Sequence, residues 1–329
     1  MTMLHARISG VAAYVPDDIL DNEMLSKMVD TNDEWITTRV GIKTRHILKD
    51  PNLGSSYLGK KAVEELLAQT GTKPEEVDLL ICCTCNPDYR FPSTGSIICH
   101  ELGLTNAYSY DLQAACAGFL VGLQDGSAYV RSGLRKKVVV VACEKMSSMV
   151  DYTDRATCPL FGDGAGAMLL EPTEAEVGVM DGQFYVDGNG LNNLIMKAGG
   201  SAKPASHETI DAHEHYVYQE GRAVYKHAVT NMLNSTMEVA QRNGLTMETV
   251  DWLIPHQANA RIIEAVADRA GIDRAKVLVN IDHTGNTSAA SIPICIAEYK
   301  DRIKKGDKLL LTAFGAGFTW GAMYIIWDI

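Results

Sequence analysis

Apolar and polar positions alternate in short runs over the first half of the chain, and these runs predict strands and helices in turn. Alternation predicts a first strand over Ala6–Tyr14, and a polar helical region follows from Asn22. A helix is expected over Ser56–Gln69, a strand over Val77–Cys85 and, after the turn Asn86-Pro87-Asp88, a helix over Thr94–Leu102. A strand over Ala107–Leu112 then turns directly into a helix with Cys116 in its first turn, and the valine-rich run Lys137–Ala142 predicts a further strand. The run Gly162-Asp163-Gly164-Ala165-Gly166 reads as a glycine turn leading into a short apolar strand, Ala167–Leu170. It lacks GxGxxG spacing and a following helix, so no nucleotide site is assigned to it. Up to about Glu171 the pattern is that of an α/β fold.

The second half repeats the first. Gly71–Ile81 has a counterpart in Gly244–Ile254, a shift that carries Val77 onto Val250, and later landmarks follow. Leu102-Gly103-Leu104 parallels Ala270-Gly271-Ile272, Asp111–Phe119 parallels Asp282–Ala290, Lys137–Val141 parallels Lys308–Thr312, and Phe161–Gly164 parallels Phe314–Gly317. Two copies of one βα unit are implied, residues 1–175 and 176–329, with function expected where the copies meet.

Composition narrows the class. The chain has 329 residues, 46% hydrophobic and 22% charged, with no low-complexity tract, as in a soluble globular protein. A net charge of −11 argues against general nucleic-acid binding and means that an acidic partner needs a local basic patch. The stretch Met1–Ile8 lacks an apolar signal-peptide core and no uncharged apolar run approaches transmembrane length, so no membrane partner and a cytoplasmic location are expected. Eight cysteines in so long a chain do not form a disulfide framework. Cys82, Cys83 and Cys85 lack a second ligand pair for zinc and read as core, and His207, His213 and His215, in an exposed excursion over Ser201–His215, read as solvated side chains. No metal is expected.

Cys116 has two readings. At a helix start, unpaired N–H groups and the positive end of the dipole bias a thiol toward the thiolate nucleophile; alternatively it is one more buried cysteine. Pseudo-twofold packing would bring it to the equivalent helix start, His283-Thr284-Gly285-Asn286-Thr287-Ser288, and to the strand end Pro255-His256-Gln257-Ala258-Asn259. His256 could be merely a hydrogen-bonded strand-end histidine, and Asn286 a helix cap. Convergence of Cys116, His256 and Asn286 at matched positions favours a site.

The motifs Ala114-Ala115-Cys116-Ala117-Gly118-Phe119, Pro255–Asn259, His283–Ser291 and Phe314-Gly315-Ala316-Gly317-Phe318-Thr319-Trp320-Gly321, with Asn32–Ile42, resemble β-ketoacyl-acyl carrier protein synthase III over essentially the whole chain. The resemblance implies a thiolase-like fold, two duplicated βα halves packed as a layered αβαβα sandwich. It implies an acyltransferase that starts fatty-acid synthesis, condensing a short acyl-CoA with malonyl-acyl carrier protein by a ping-pong route. Cys116 would carry the acyl group, and His256 and Asn286 would stabilise the enolate formed as carbon dioxide leaves. The backbone N–H groups of Cys116 and Ala316 would form the oxyanion hole, where alanine is costly if Ala316 needs a positive φ. Coenzyme A would be held by Thr31, Trp35, Arg39, Arg155 and Asn259, as substrate, with no permanently bound cofactor. Phe161, Met146 and Phe91 would line the acyl pocket, Phe91 reaching into the neighbouring subunit of a homodimer, with chain length depending on the loop near Gly188–Gly200. Gln257, Ala258, Asn259, Ala260, Arg261 and Lys226, with Arg222, would meet the acidic carrier protein, although Asp268 and Glu264 intrude there. The rival readings are a related acyltransferase of secondary metabolism with another acceptor, a noncatalytic acyl or CoA binder on the same fold, and a cysteine hydrolase.

Overall fold

The computed structural model describes residues 4–329, so the first residues of the Met1–Ile8 stretch lie outside it. Val138–Lys145, whose first four residues are β-branched valines, is buried along nearly its whole length and lies at the centre of a five-stranded sheet. The order is His5–Tyr14, Asp163–Thr173, Val138–Lys145, Leu79–Cys83, Tyr108–Leu112, with the last three parallel and the first two antiparallel to their neighbours. The second sheet runs Gly178–Val186, Thr319–Ile326, Lys308–Gly315, Trp252–Pro255. Its strand pairings have the same directions, and where the first sheet has Tyr108–Leu112 it has only a parallel bridge from Leu253 to Val277. The repeat in the sequence is thus a repeat of sheet topology.

Helices complete the layers. Gly118–Arg131 and Ser291–Tyr299 are sandwiched between the sheets in one apolar core that draws on both halves, from Ile8 and Val140 to Leu311 and Ile325. Ser55–Thr70 and Thr94–Leu102 cover the outside of the first sheet, and Gly221–Arg242 with Ala260–Ala270 the outside of the second. The sequence Ser-Ser-Tyr-Leu-Gly-Lys-Lys-Ala-Val-Glu-Glu-Leu-Leu buries Leu58, Ala62, Val63, Leu66 and Leu67 on one face, and the helix ends at Gly71 in the left-handed region.

Two expectations are corrected and two are refined. The glycine run at Gly162–Gly166 is no turn: Asp163–Thr173 is one continuous strand. A Cβ on Gly166 would lie 2.7 Å from that of Pro293, so glycine there lets the helix Ser291–Tyr299 of the other half approach the strand. The parallel drawn between Phe161–Gly164 and Phe314–Gly317 fails in detail, because residues 146–162 join the two strands in the first half and only residues 316–318 in the second. The polar region from Asn22 forms two helices, Asn22–Ser26 and Asp33–Val40, and the excursion Ser201–His215 contains the capped helix His207–Asp211, after which His213 Nδ1 lies 2.6 Å from Asp151. Cys82 and Cys83 are wholly buried, with Cys82 Sγ 3.5 Å from Cys143 Sγ.

Arg45 is buried beneath the joint of the halves. Its guanidinium donates to Leu20 O (3.1 Å), Asn22 Oδ1 (2.9 Å) and Pro159 O (2.7 Å), and burial pushes its pKa down to about 10. Arg45→Ala would strand these acceptors without water, so a loss of about 3 kcal/mol is expected in urea unfolding; a change within 0.5 kcal/mol, roughly the scatter of a neutral surface substitution, would refute the role.

Candidate active site

Strand Tyr108–Leu112 leads into a single 3-10 turn, Ala115–Ala117, and the α-helix Gly118–Arg131 starts only after it. Cys116 therefore stands on a tight elbow rather than inside the helix. Ala115 is held at φ 45°, and in the other half Ser288 is held at φ 52° at the start of the matching turn, Ser288–Ala290. Non-glycine residues in this region store strain, and the two strained elbows face each other across the pseudo-twofold axis. Gly315 completes the packing: a Cβ on it would fall 2.6 Å from Cys116 N.

Cys116, His256 and Asn286 line one cavity of about 460 Å³, together with Arg39, Asn259 and Phe314. Cys116 also opens on a second cavity of about 780 Å³, walled by Met146, Met149, Leu191, Leu194 and Met196, with Ala316 and Gly317 at its rim. The thiol thus sits where two chambers meet. Neither Cys116 N–H nor Ala316 N–H has an acceptor within the chain among the described residues, and Ala316 avoids a positive φ, so alanine carries no cost there.

The polar partners are oriented by their neighbours. Ser288 N donates to Asn286 Oδ1 at 2.8 Å, which leaves the Asn286 amide nitrogen as the group free to donate into the cavity. His256 Nδ1 lies 2.7 Å from Ser291 Oγ, which also accepts from Gln257 N at 3.3 Å. The Ser291 hydroxyl hydrogen has no other acceptor among the described residues, so donation to Nδ1 satisfies it, and that arrangement puts the ring proton on Nε2. Ser288 Oγ lies 3.7 Å from Cys116 Sγ.

Electrostatics correct one expectation. The Ser288 hydrogen bond and the backbone N–H of Cys116 itself do favour the thiolate, but burial outweighs them and pushes the Cys116 thiol up to about 12, with buried Glu144 adding to the rise. The resting group is the thiol. Burial also drives His256 down to about 3, so the imidazole is neutral. Between its ordinary 6.5 and about 3 the unfolded chain takes up a proton that folded His256 refuses. His256 therefore contributes a fall in stability as pH drops through that window, by up to about 1.4 kcal/mol per pH unit, and no such loss above it. His256→Gln should remove this slope; equal acid slopes in wild type and variant, from denaturant unfolding between about pH 4.5 and 7, would contradict it.

The other anticipated residues divide. Arg39 and Asn259 line the first cavity, and Asn259 caps the helix Ala260–Ala270 while its Nδ2 lies 3.4 Å from Arg39 O. Trp35 is 37% exposed on the helix capped by Asn32, and Arg155 pairs with Asp30 at 3.3 Å; these and Thr31 do not line the cavity, although Val40 and Ala156 do. Met146 lines the second cavity, and the loop Gly188–Gly200 supplies much of its wall. Phe161 lines neither chamber; it is buried with Met146 and Met149, and its backbone bridges to Asn286. Phe91 is 86% exposed and lines neither chamber.

One anticipated contact is overturned. Gln257 is fully buried, donating to Pro255 O (2.7 Å) and Leu278 O (3.3 Å) and accepting from Asn280 N (3.0 Å), so it braces the strand end and cannot meet a partner protein. Ala258 lines the cavity, and Ala260 packs on the helix Asp33–Val40 side, against Gly41. Arg261, Lys226 and Arg222 are exposed, while Asp268 is held by Arg274 in two hydrogen bonds of 2.8 and 2.9 Å. Sequence reasoning missed Ser288, Ser291 and Glu144; a serine beside Asn286 and a glutamate ending a valine strand carry no signal without the fold.

Two pseudo-symmetric sheets with a cysteine, a histidine and an asparagine at their facing ends define a condensing enzyme of the thiolase-like fold. The model for "3-oxoacyl-[acyl-carrier-protein (ACP)] synthase III" matches residues 110–188, and that for its C-terminal part residues 240–327. The chain is 56% identical over 327 residues to β-ketoacyl-[acyl-carrier-protein] synthase III 2 of Bacteroides thetaiotaomicron, covering 99% of this chain and 98% of that one. It is 55% identical to a β-ketoacyl-[acyl-carrier-protein] synthase III of Porphyromonas gingivalis, again over 99% and 98% of the two chains. The crystal structure of 3-oxoacyl-[acyl-carrier-protein] synthase III from Aquifex aeolicus superposes with a TM-score of 0.90 at 40% identity, over 98% of this chain and 100% of that one. The chain belongs to the β-ketoacyl-acyl carrier protein synthase III family.

Proposed function

We propose that this enzyme condenses a short acyl-CoA, such as acetyl-CoA, with malonyl-acyl carrier protein, releasing carbon dioxide and CoA and starting a fatty-acid chain. One observation carries the reading: Cys116 stands between two chambers with His256 and Asn286 on one side and free N–H groups at its own backbone and at Ala316. Cys116 Sγ attacks the thioester carbonyl, whose oxygen takes its negative charge toward the Cys116 and Ala316 N–H groups, and CoA leaves. The acyl chain lies in the larger chamber. Malonyl-acyl carrier protein enters through the other, where His256 Nε2–H and Asn286 Nδ2–H donate to its thioester oxygen as carbon dioxide departs. The carbanion then attacks the acyl carbonyl and frees Cys116. Loss of carbon dioxide supplies the carbanion without a strong base, which suits a neutral histidine and an amide.

Arg39 and Asn259, with Thr31, Trp35 and Arg155 beyond the cavity, are the candidates for holding CoA; guanidinium groups pair with phosphates and an indole offers a face to adenine. CoA is substrate, and no resident cofactor or metal is invoked. Exposed Phe91 is the candidate to enter a partner's chamber in a homodimer and shorten it, and residues 1–175 and 176–329 are read as duplicated halves. No helix among the described residues is long and apolar enough to cross a membrane, in keeping with a cytoplasmic enzyme.

The test is carbon dioxide release from malonyl-acyl carrier protein that requires an acyl-CoA. Release without dependence on acyl-CoA, or transfer only to a free small-molecule acceptor, would overturn the reading. For the carrier, Arg261→Glu is expected to raise the KM for malonyl-acyl carrier protein by about 10-fold while leaving acylation by acyl-CoA unchanged, since rim charges act on encounter. An unchanged KM would remove Arg261 from the docking surface.

A further inference from the structure

A buried carboxyl lies behind the nucleophile. Glu144, at the end of strand Val138–Lys145, has no exposed surface. Its oxygens accept from Cys85 N (3.1 and 3.2 Å) and Thr84 Oγ1 (3.1 Å), and Cys85 Sγ stands 3.5 Å from Oε2. Cys85 Sγ is 3.6 Å from Ser288 Oγ, and Ser288 Oγ is 3.7 Å from Cys116 Sγ. The contacts form an unbroken line: Cys116, Ser288, Cys85, Glu144.

The groups facing Glu144 explain why it is unusual. From its own strand comes Cys143, from the neighbouring strand and its end Cys83 and Cys85, and from the elbow Cys116; all are thiols. No cation pairs with it among the described residues, and Lys145 turns away to the carbonyls of Asp50 (2.8 Å) and Leu53 (2.7 Å). A carboxyl this deep without a counter-ion is costly unless it can take up a proton. Burial indeed raises it to about 7, against hydrogen bonds that pull the other way. Neutral His256, held at about 3, is a far poorer acceptor for the thiol's proton.

We propose that Glu144 takes the proton of Cys116 through Ser288 and Cys85 during acylation and returns it to the Cys116 thiolate after condensation. The proposal rests on the acyl-enzyme reading above. At rest Ser288 O–H donates to Cys116 Sγ and Cys85 S–H to Glu144 Oε2; for the transfer the Ser288 hydroxyl turns, so that Cys116 S–H donates to Ser288 Oγ and Ser288 O–H to Cys85 Sγ. As Sγ bonds to the acyl carbon, each hydrogen moves one place along the line, Glu144 becomes the neutral acid, and CoA leaves as thiolate to be protonated by solvent. When the carbanion breaks the acyl–Cys116 bond, the thiolate draws the proton back by the reverse shift. The strained backbone of Ser288, tied through its N–H to Asn286 Oδ1, holds the hydroxyl at the centre of the line.

The experiment is pre-steady-state acetylation of Cys116 by acetyl-CoA, read by intact-protein mass between about pH 5.5 and 9. In wild type the rate should rise with pH and level off near 7 as Glu144 ionises. Glu144→Gln, which keeps an acceptor oxygen but takes no proton, should lower the plateau by about 100-fold and replace it with a rise that continues to the highest pH. Cys85→Ser should keep the inflection. Ser288→Ala should lose it, and alanine is tolerated at this φ, as Ala115 shows at the matching elbow, so this variant decides the matter if Glu144→Gln does not fold. An inflection and rate within twofold of wild type in either interrupting variant would overturn the relay alone. No acetyl adduct on wild type at any pH would overturn the acyl-enzyme reading and the relay with it.

Discussion

Cys116→Ala is expected to abolish acyl-enzyme formation and to lower condensation by at least about 1,000-fold, the scale on which removal of a covalent nucleophile acts. Intact-protein mass after mixing with a panel of acyl-CoA thioesters, from acetyl upward, should show adducts on wild type and none on the variant. The same spectra rank the acyl groups that the larger chamber admits, a matter of methionine and leucine rotamers along Met146, Met149 and Leu191. The substitution removes one sulfur from a half-buried elbow, so the fold should persist and the loss should be chemical. An adduct that survives in Cys116→Ala would move the nucleophile elsewhere. An acyl-carrier thioester that labels wild type where no CoA thioester does would remove Thr31, Trp35, Arg39, Arg155 and Asn259 from CoA binding and favour the secondary-metabolism reading.

His256→Ala and Asn286→Ala should divide the reaction. Each removes a donor to the enolate oxygen, and loss of one such donor costs about 100- to 1,000-fold. Decarboxylation of malonyl-acyl carrier protein should fall by that factor in either variant, whereas acetylation of Cys116 should fall by less than about 10-fold, because the first half-reaction draws on the backbone N–H groups of Cys116 and Ala316. The double variant should lose less than the product of the single losses, since the two donors serve one oxygen. Equal loss of both half-reactions would mean that these side chains act on the thiol and not on the enolate. His256→Ala also leaves Ser291 Oγ without its 2.7 Å partner, so a Ser291→Ala control separates the lost donor from the disturbed neighbour.

Carrier docking shows how local context alters a motif's meaning. Within Pro255-His256-Gln257-Ala258-Asn259-Ala260-Arg261 the resemblance set the whole run Gln257–Arg261 against the carrier protein. The strand end buries Gln257, the cavity takes Ala258, the helix cap uses Asn259, and Arg261 stays exposed with its guanidinium over the Tyr225 ring. Likewise Asp268, which seemed to weaken a basic patch, is paired with Arg274.

Read alone, the sequence determined the class of fold and which three polar side chains come together at one cavity. Hydrophobic periodicity reports which face of an element is buried, and a repeat reports symmetry, so the alternation of strands and helices, the two halves and the convergence of Cys116, His256 and Asn286 were legible from residue order. The strand through Gly164 and Gly166 was not, because these glycines answer to Ile294 and Pro293 across the core rather than to a local turn. The protonation state of Cys116 was not, because a helix-start signal is local whereas desolvation is a property of everything packed around the thiol. Nor was the line from Cys116 through Ser288 and Cys85 to Glu144, four residues on four separate segments. Distances of this kind exist only after the two halves have closed on each other, and only the tertiary structure decides them.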